Sequence, residues 1–296
     1  MEKIIVTGGA GFIGSHIVDV LVESNFEVHV VDNLSAGKIE NVNKKAILHI
    51  VDICEKEKLL EIFKDAKYAF HEAGLLQVQF SIENPIVTNL VNVGGLLNVL
   101  EACRINKVKR LIFASSAAIY GDQETLPLVE TLEPKPLSPY ALQKYIGEKY
   151  CELYSQIYNL ETVCLRYFNV YGDRQSVNGA YPLVIAKFLE LKKQNKPLQI
   201  VGDGENTRDY IHVSDIARAN ILAMKSEKVG KGDVLNIGSG ERFSVNQIAK
   251  LIGGEIQYLP PRVEPKHIVA DIKKAKELLG FEPTISLPDG ILELMK

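Results

Sequence analysis

The chain has 296 residues, of which 46% are hydrophobic and 24% are charged, and its formal net charge is −3. This length and composition fit one large globular domain or two unequal ones and exclude a disordered chain. Because the sequence lacks the basic clusters that bind nucleic acid or anionic membranes, we expect a small-molecule partner and no nucleic-acid or membrane binding.

Short apolar runs alternate with longer segments of helical period along the first 167 residues. The runs predict strands at 4–7, 27–31, 46–51, 68–71, 110–116 and 162–167, and the segments between them predict helices at 15–24, 56–63, 86–104 and 139–158. This alternation predicts an α/β fold with a doubly wound parallel sheet of the Rossmann type. The strands are continuously apolar, as is typical of a sheet covered on both faces.

Beyond residue 167 the pattern loosens into turns rich in Gly, Pro and Asn with shorter elements, including a helix at 271–279 that ends at Gly280. We therefore predict a Rossmann domain over 1–167 and a smaller α/β lobe over 168–296, with part of 209–240 returning to the first domain. The four cysteines lack metal-binding spacing and are interpreted as core residues, so no metal site is predicted. No signal-peptide pattern opens the sequence and no apolar run reaches ~18 residues, which predicts a cytoplasmic protein.

A glycine-rich stretch, IIVTGGAGFIGSH, joins the first predicted strand to the first helix. Gly8, Gly11 and Gly14 allow a tight turn and let a pyrophosphate approach the helix N-terminus, where N–H groups and the dipole favour an anion. Asp32 ends the second strand, where a carboxylate accepts hydrogen bonds from ribose hydroxyls and repels a 2′-phosphate. These features predict NAD rather than NADP. Asp52, which ends the third strand, is predicted either to contact the adenine or to cap the chain locally.

The stretch SPYALQKYIGEKY contains two tyrosines that are each followed four residues later by a lysine. Tyr140 lies in the first turn of a helix that Ser138 is predicted to cap, with Lys144 one turn along. Both the helix N-terminus and an ammonium group favour a phenolate, so we expect a lowered pKa for Tyr140, with a positively charged nicotinamide nearby supplying the rest of the shift. Tyr145 and Lys149 lie mid-helix on another face and are interpreted as packing and a solvated charge.

The same helix is expected to bury two adjacent stripes of side chains. The first is formed by Leu142, Ile146, Tyr150, Leu153 and Ile157, and the second by Tyr140, Lys144, Gly147 and Cys151.

Two serines, Ser115 and Ser116, close the predicted strand that precedes this helix. A hydroxyl at that position can bond the substrate oxygen that Tyr140 deprotonates. Serines at a strand end are more often turn formers, so the assignment depends on the glycine loop and the Tyr140–Lys144 pair.

Six motifs in fixed order carry a resemblance to a known family: TGGAGFIG, HEAG, SSAAIYG, YALQK, LRYFNVYG and TRDYIHVSD. Together they resemble the extended short-chain dehydrogenase/reductases, and among these most closely the UDP-glucose 4-epimerases, over nearly the whole chain. The resemblance implies that Tyr140, Lys144 and Ser116 are catalytic.

The resemblance also implies contacts to a bound NAD cofactor and to a nucleotide sugar. The NAD contacts fall on Gly8, Gly11, Phe12, Ile13, Gly14, Asp32, Asn33, Asp52, Ile53, Ala73, Gly74, Asn92, Ser115, Tyr140, Lys144 and Tyr167. The sugar-nucleotide contacts fall on Ser116, Phe168, Asn169, Gln199, Arg208, Tyr210, Arg262, Glu264 and Ile268. An arginine pair suits a diphosphate because each guanidinium can bond two oxygens at once.

The activity implied by the resemblance is epimerisation at C4 of a UDP-hexose through a transient 4-keto sugar, in a homodimer formed through the helices at 86–104 and 139–158. Ile268 is expected to border the 2-position of the sugar. One alternative is another NAD-dependent sugar-nucleotide enzyme, such as a UDP-glucuronate epimerase or decarboxylase; another is a non-catalytic NAD-sensing regulator. The related dehydratases carry Asp-Glu where this chain has Ala117 and Ala118, which disfavours dehydration.

Overall fold

The computed structural model describes residues 1–176, 184–261 and 265–296, in which strands and helices alternate. The strands are β1 (Lys3–Thr7), β2 (Glu27–Asp32), β3 (Ile47–Ile50), β4 (Ala66–His71), β5 (Arg110–Ser116), β6 (Glu161–Tyr167), β7 (Asn169–Tyr171), β8 (Leu198–Val201), β9 (Thr207–Arg208), β10 (Tyr210–His212), β11 (Lys231–Ile237), β12 (Phe243–Ser244) and β13 (Ile256–Leu259).

Seven of these strands form one parallel sheet in the order β11-β6-β5-β4-β1-β2-β3. The strand order reverses between β1 and β4, and in such sheets ligands bind at the carboxyl ends of the strands beside the reversal. This confirms the predicted α/β Rossmann-like fold. The glycine loop after β1 and the HEAG segment after β4 therefore flank one crevice.

Helices cover both faces of this sheet, so its apolar strands are buried on each side. The helices are α1 (Phe12–Glu23), α2 (Lys56–Ile62), α3 (Val78–Glu83), α4 (Pro85–Asn89), α5 (Leu96–Ile105), α6 (Pro139–Tyr158), α7 (Val184–Lys193), α8 (Val213–Lys225), α9 (Val245–Ile252), α10 (Lys273–Leu279) and α11 (Leu287–Leu294). Helices α1, α8 and α10 pack on one face, and α2, α5 and α6 on the other.

A second lobe has a separate apolar core, formed by α7, α9, α11, β8 and β10. It contains the parallel pairs β7–β10 and β8–β13 and the antiparallel pair β9–β12. Helix α8 and strand β11 belong instead to the main sheet layer, although they follow β10 in the chain. The domain boundary at residue 167 stays a prediction.

The helix that carries the two tyrosine–lysine pairs has the predicted bounds, Pro139–Tyr158, and its N-cap Ser138 accepts a hydrogen bond from the Ala141 N–H at 3.2 Å. The first predicted buried stripe is wrong, because Leu142, Leu153 and Ile157 are exposed. The buried side chains include polar ones that the apolar pattern could not indicate, namely Gln143 and Glu148, together with the predicted Tyr140, Lys144, Gly147 and Cys151.

One helical stretch, Pro85–Ile105, has the length and apolar composition of a membrane span, and half of it is buried inside the protein. It comprises α4, a π-helical turn at Leu90–Gly95, and α5. A core helix of a globular protein has the same properties, since its inner face must be apolar. Cys54 is only partly buried, whereas the other three cysteines lie in the core as predicted.

Candidate active site

The glycine loop after β1 is so tightly packed that two of its positions exclude a side chain. Gly8 has a φ of +73°, and a Cβ there would lie 2.6 Å from the Ala73 nitrogen. A Cβ on Gly14 would lie 2.2 Å from the Gly8 carbonyl oxygen. Gly11 is the N-cap of α1 and offers no side chain to occupy the helix N-terminus. The loop therefore presents backbone alone at the start of α1, where Phe12 and Ile13 form the first turn.

Asp32 at the end of β2 is buried, and its carboxylate hydrogen-bonds to the backbone of the glycine loop. Its Oδ2 accepts a hydrogen bond from the Ala10 N–H at 3.0 Å, and its Oδ1 accepts one from the Leu34 N–H at 2.8 Å. Each carboxylate oxygen can accept more than one hydrogen bond, so acceptor capacity remains for the two hydroxyls of a ribose. This donor and acceptor set, beside a bare helix N-terminus, fits NAD.

Asp52 is also held by local hydrogen bonds. Its Oδ1 accepts from the Cys54 N–H at 2.8 Å, and its Oδ2 accepts from the Asn33 side-chain amide at 2.7 Å. Burial opposes ionisation of Asp52, but these hydrogen bonds hold its pKa below the usual value. The local capping predicted for Asp52 is thus present, and an adenine contact stays a prediction. The Ile53 side chain packs into the core against α5.

Tyr140, Ser116 and Lys144 come together at the carboxyl end of β5. The Ser116 side chain lies beside the Tyr140 hydroxyl and acts to lower its pKa, and the Ser116 Oγ accepts from the Ala118 N–H at 3.2 Å. The Lys144 Nζ donates to the Ala114 carbonyl oxygen at 2.7 Å and lies 6.0 Å from the centre of the Tyr140 ring. Both Tyr140 and Lys144 are buried.

Burial has the largest effect on the pKa of both Tyr140 and Lys144. It raises the pKa of Tyr140, which the Ser116 side chain opposes and the charge of Glu72 reinforces. For the protein groups alone the pKa of Tyr140 is therefore raised and not lowered as expected, because desolvation by burial is the largest effect. Burial likewise lowers the pKa of Lys144, and the nearby Glu72 carboxylate acts in the opposite direction.

The second tyrosine–lysine pair lies on the outer face of α6. The Lys149 Nζ donates to Glu152 at 2.9 Å and lies 5.6 Å from the centre of the Tyr145 ring, with the lysine side chain 57% exposed. Lys149 is thus a solvated charge, as predicted, and its ion pair is with Glu152.

Glu72, directly after β4, is a polar residue of the site that the sequence reasoning missed. Its Oε1 accepts a hydrogen bond from the Tyr167 hydroxyl at 2.9 Å, and that hydroxyl accepts from the Asn220 amide at 2.7 Å. Glu72 stands in the HEAG motif directly after the apolar run YAFH. An acid at the carboxyl end of a central strand was the signal that could have identified it.

The loop after Glu72 is held by Asn92, one of the predicted NAD contacts. The Asn92 Oδ1 accepts from the Leu75 N–H at 2.7 Å, and its amide donates to the Leu75 carbonyl at 2.9 Å and to Gln143 at 2.8 Å. Gly74 lies against this amide, where a Cβ would be 3.0 Å from the Asn92 Oδ1. Asn92 thus positions the Ala73–Gly74 backbone through its side chain.

Ser115 uses its side chain away from the Tyr140 hydroxyl. Its Oγ donates to Glu148 Oε1 at 2.6 Å, and Glu148 also forms a bidentate ion pair with Arg166 at 2.7 and 2.8 Å. All three side chains are buried. The Ser115 hydroxyl hydrogen is thus donated to Glu148, and a cofactor contact from Ser115 stays a prediction.

The predicted sugar residues Phe168 and Ile268 lie in one apolar cluster. Phe168 is buried with Tyr120, Leu128 and Ala270, and Ile268 and Ala117 pack against that cluster. Because Ala117 directly follows Ser116, the cluster adjoins the catalytic strand end. Ile268 therefore packs against a cluster next to the end of β5, and its place beside the 2-position of the sugar stays a prediction.

The other predicted sugar-nucleotide residues are spread over three strand pairs. The Asn169 amide on β7 donates to the Asp209 carbonyl at 2.9 Å, which places it beside Tyr210 on β10. Arg208 on β9 donates to the Lys266 carbonyl at 3.2 Å, and Gln199 lies on β8, opposite Gln257. Arg262 and Glu264 lie outside the described residues.

Asp209, between Arg208 and Tyr210, was also missed. It is fully buried, and its carboxylate accepts from the Ser239 N–H at 2.7 Å and the Ala270 N–H at 3.0 Å. This carboxylate ties the Arg208 strand to the segment that carries Ile268. Asp209 stands in the motif TRDYIHVSD, but neither periodicity nor charge pattern distinguished it from a surface acid.

With this geometry established, comparison with known proteins identifies the family. The family model "NAD dependent epimerase/dehydratase family" matches residues 4–238. The chain belongs to this family. Its cofactor is accordingly NAD, and the crevice between β1 and β4 is the site whose residues fit it.

Two solved structures resemble this epimerase/dehydratase over nearly its whole length. A UDP-glucose 4-epimerase from Thermotoga maritima, with UDP-glucose, is 43% identical with a TM-score of 0.93, covering 98% of this chain and 96% of its own. A UDP-N-acetylglucosamine 4-epimerase from Methanobrevibacter ruminantium, in complex with UDP-N-acetylmuramic acid, is 37% identical with a TM-score of 0.95, covering 99% and 97%.

A third similar structure is that of an enzyme named for an acid sugar. It is a UDP-glucuronic acid 4-epimerase from Bacillus cereus in complex with UDP-glucuronic acid and NAD, 32% identical with a TM-score of 0.89, covering 98% of this chain and 96% of its own. The names of these relatives share a UDP-sugar and differ in the group on the sugar ring. The family therefore supports a UDP-sugar enzyme and leaves the sugar to be assigned.

Proposed function

We propose that this enzyme interconverts the C4 epimers of a UDP-hexose, with UDP-glucose and UDP-galactose as its substrates. The observation that carries the proposal is the convergence of Tyr140, Ser116 and the buried Lys144 at the carboxyl end of β5, where the Lys144 Nζ donates to the Ala114 carbonyl oxygen. A non-catalytic NAD sensor would have no use for this triad.

The reaction begins when Tyr140 takes the proton of the 4-hydroxyl. Ser116 ends β5 beside the same phenol, so its hydroxyl can orient the sugar oxygen during the transfer. When bound, NAD supplies the acceptor that takes the hydride from C4 and later returns it, and a positive charge that favours the phenolate. The 4-keto sugar turns over while it stays anchored by its nucleotide, and Tyr140 returns the proton to the 4-oxygen.

Lys144 has the position to favour the ionised form of Tyr140, because its ammonium group lies one turn further along the same helix face. The hydrogen bond from Nζ to the Ala114 carbonyl fixes it against β5. Its burial lets the charge act in a poorly screened site, where Coulombic interactions are strong.

Dehydration is disfavoured because Ala117 and Ala118 stand where the dehydratases carry Asp-Glu.

Product analysis tests the proposal. The protein is incubated separately with UDP-glucose, UDP-galactose and their N-acetylated forms, and the sugar nucleotides are separated by chromatography. We expect UDP-glucose and UDP-galactose to interconvert to the same equilibrium mixture from either side, with no 4-keto-6-deoxy sugar. Turnover of the N-acetylated pair alone, or of none of the four, would contradict the assignment.

A second candidate is supported by the similarity to the Bacillus cereus enzyme. In that case the substrate would carry a carboxylate at C5, and the product would be the C4 epimer of UDP-glucuronate or, after loss of CO2, a UDP-pentose. Incubation with UDP-glucuronate, with CO2 and product measured together, separates this candidate from the first. Faster turnover of the acid sugar than of UDP-glucose would favour it.

We also propose that the enzyme forms a homodimer through the outer faces of α4 and α6. These adjacent helices expose apolar side chains, including Ile86 at 85%, together with Leu142, Leu153 and Ile157. Two copies that pair these faces would bury the apolar surface. Sedimentation should give a dimer mass at micromolar concentration, and Ile86→Asp should shift it toward the monomer. A monomeric parent protein would contradict this proposal.

A further inference from the structure

Three buried polar side chains, Asn92, Gln143 and Thr88, join helix α6 to the loop that follows β4. The Leu75 N–H donates to Asn92 Oδ1 at 2.7 Å, and the Asn92 amide donates to Gln143 Oε1 at 2.8 Å. The Gln143 amide donates in turn to Thr88 Oγ1 at 3.0 Å. All three side chains are buried, so a group that loses its partner here cannot bond to water instead. We call these three residues the amide network.

The hydrogen bonds of the amide network have a defined direction. A backbone N–H can only donate, so the Leu75 contact identifies the Asn92 oxygen and hence the Asn92 nitrogen. That nitrogen can only donate, so the Gln143 atom that it meets is the oxygen. The Gln143 nitrogen then donates to the Thr88 hydroxyl, which can itself donate to two carbonyl oxygens at the start of α4, both at 3.2 Å. Rotation of either amide by 180° would bring two donors or two acceptors together.

Gln143 lies in the turn of α6 that carries the two groups used in the proposed reaction. It follows Tyr140 by three residues and directly precedes Lys144, and residues three apart are neighbours on a helix surface. The same turn has a second polar anchor, because the Tyr140 N–H donates to the Oγ of Ser81 in α3 at 3.1 Å. Ser81 is also buried. The position of this turn is thus fixed at two points by side chains of the segment 81–92.

The other end of the amide network holds the loop at 73–75. The Asn92 amide also donates to the Leu75 carbonyl at 2.9 Å, and a Cβ on Gly74 would lie 3.0 Å from Asn92 Oδ1. This loop follows β4 beside the reversal of strand order, where ligands bind in such sheets. Asn92 itself lies in the π-helical turn at Leu90–Gly95, and such turns are frequent at functional sites. The network therefore runs from the predicted cofactor side of the crevice to α6.

We propose that Gln143 is a positioning residue, which couples the loop at 73–75 to the turn of α6 that carries Tyr140. The inference rests on the proposed function for the role of Tyr140, and on the predicted NAD contacts of Ala73 and Gly74. Because loop and helix share one directed set of buried hydrogen bonds, the phenol keeps a fixed position relative to the predicted cofactor site. A misplacement of reacting groups by ~1 Å can cost ~10²-fold in rate, so this coupling affects turnover.

Gln143→Met is the central variant, because it keeps the length of the side chain and removes both of its hydrogen bonds. We expect kcat for UDP-glucose to fall by about 10- to 100-fold. The KM should change little, since neither Asn92 nor Thr88 is among the predicted sugar-nucleotide contacts. The Kd for NAD, measured by calorimetric titration without sugar, should rise about 3- to 10-fold, because the loop is less well ordered before binding.

Substitutions at Thr88 test whether the hydrogen bond itself is responsible. Thr88→Val removes the hydroxyl at constant shape and should lower kcat and weaken NAD binding in the same direction as Gln143→Met. Thr88→Ser keeps the hydroxyl and should restore both quantities toward the parent values. The double variant Gln143→Met/Thr88→Val should be no worse than Gln143→Met, because both changes break one bond, whereas independent effects would multiply.

The matched control is Thr162→Val, which removes another buried hydrogen bond to α6. Thr162 Oγ1 donates to the Cys151 carbonyl at 2.8 Å, eleven residues beyond Tyr140. This variant should lower the thermal stability while leaving kcat and the Kd for NAD at the parent values. Thermal unfolding of every variant shows whether the fold is retained.

A Gln143→Met protein with parent kcat and parent NAD affinity would overturn the proposal, even if it unfolded at a lower temperature, because Gln143 would then only stabilise the fold. Multiplying effects in the double variant would also overturn it. If Gln143→Met does not fold, equal behaviour of Thr88→Val and Thr88→Ser would count against the coupling. Weakened NAD binding that Thr88→Ser restores, in a parent protein that does not turn over UDP-glucose, would support the coupling and overturn the proposed function.

Discussion

Helix α6 presents the same residue pair on two faces in two different environments. On the inner face, Tyr140 and Lys144 are buried at the end of β5, and the Lys144 Nζ donates to a backbone carbonyl of that strand. On the outer face, Lys149 is solvated and bonds to Glu152. The spacing of tyrosine and lysine is identical, so burial and the neighbouring strand end decide which pair can carry chemistry. An ion pair exposed to water contributes little to stability, whereas a charge in a desolvated site interacts strongly with the charges around it.

The same substitution at the two tyrosines should have very different effects on turnover, and equal or reversed effects would contradict the comparison. Tyr140→Phe removes the group that moves the proton, so turnover should fall by ~10²–10⁴-fold, a typical contribution of general acid–base catalysis. NAD should stay bound, as measured by its release on denaturation. Tyr145→Phe is the matched control and should keep turnover within a fewfold of the parent, and a dead Tyr145→Phe enzyme would show that the outer face had been misassigned.

Tyr140 and Lys144 can act on a substrate only if NAD is bound beside them. A substitution at Asp32 tests this binding. Asp32→Ala removes a carboxylate that can bond the ribose, and a hydrogen bond to a charged group is worth ~1.5–3 kcal/mol, or roughly 10- to 150-fold in the Kd for NAD. The variant should also discriminate less against NADP. Calorimetric titration of both cofactors measures this, and NADP in the purified parent protein would refute the role given to Asp32.

A smaller effect is expected where the sugar meets the apolar cluster beside Ser116. Ile268 packs against this cluster with Phe168, and a wall of intermediate size discriminates against an added acetamide by only ~1–3 kcal/mol. The parent should therefore prefer UDP-glucose and UDP-galactose over the N-acetylated sugars by at most about 200-fold. Ile268→Ser should shift this ratio of kcat/KM values toward the N-acetylated pair, and unchanged rates for both would place another residue, such as Lys266 or His267, at the wall.

Much of the candidate site could be predicted from the sequence because the sequence signals are local. The glycine loop, Asp32 after β2, the serines that end β5 and the Ser138 cap each follow from residues within one turn or strand end. The bounds of α6 and β5 followed in the same way, because periodicity and capping act over a few residues.

What the sequence could not indicate depends on contacts between distant segments. Leu142, Leu153 and Ile157 read as core residues because an apolar stripe usually packs inside its own chain, yet they are exposed here. The inner face instead buries Gln143 and Glu148, whose partners Asn92 and Arg166 come from other elements. The hydrogen bond from Tyr167 to Glu72 likewise joins segments that are distant in the sequence.

The central claim is that a hydride leaves C4 of the sugar and returns to the same carbon within one protein molecule. It is tested most directly with UDP-glucose carrying deuterium at C4, in ordinary water, with no added cofactor and the product analysed by mass spectrometry and NMR. The account predicts UDP-galactose that retains the deuterium at C4 over many turnovers. Product that carries solvent hydrogen at C4 would contradict it, because the carbon would then have exchanged a proton with water.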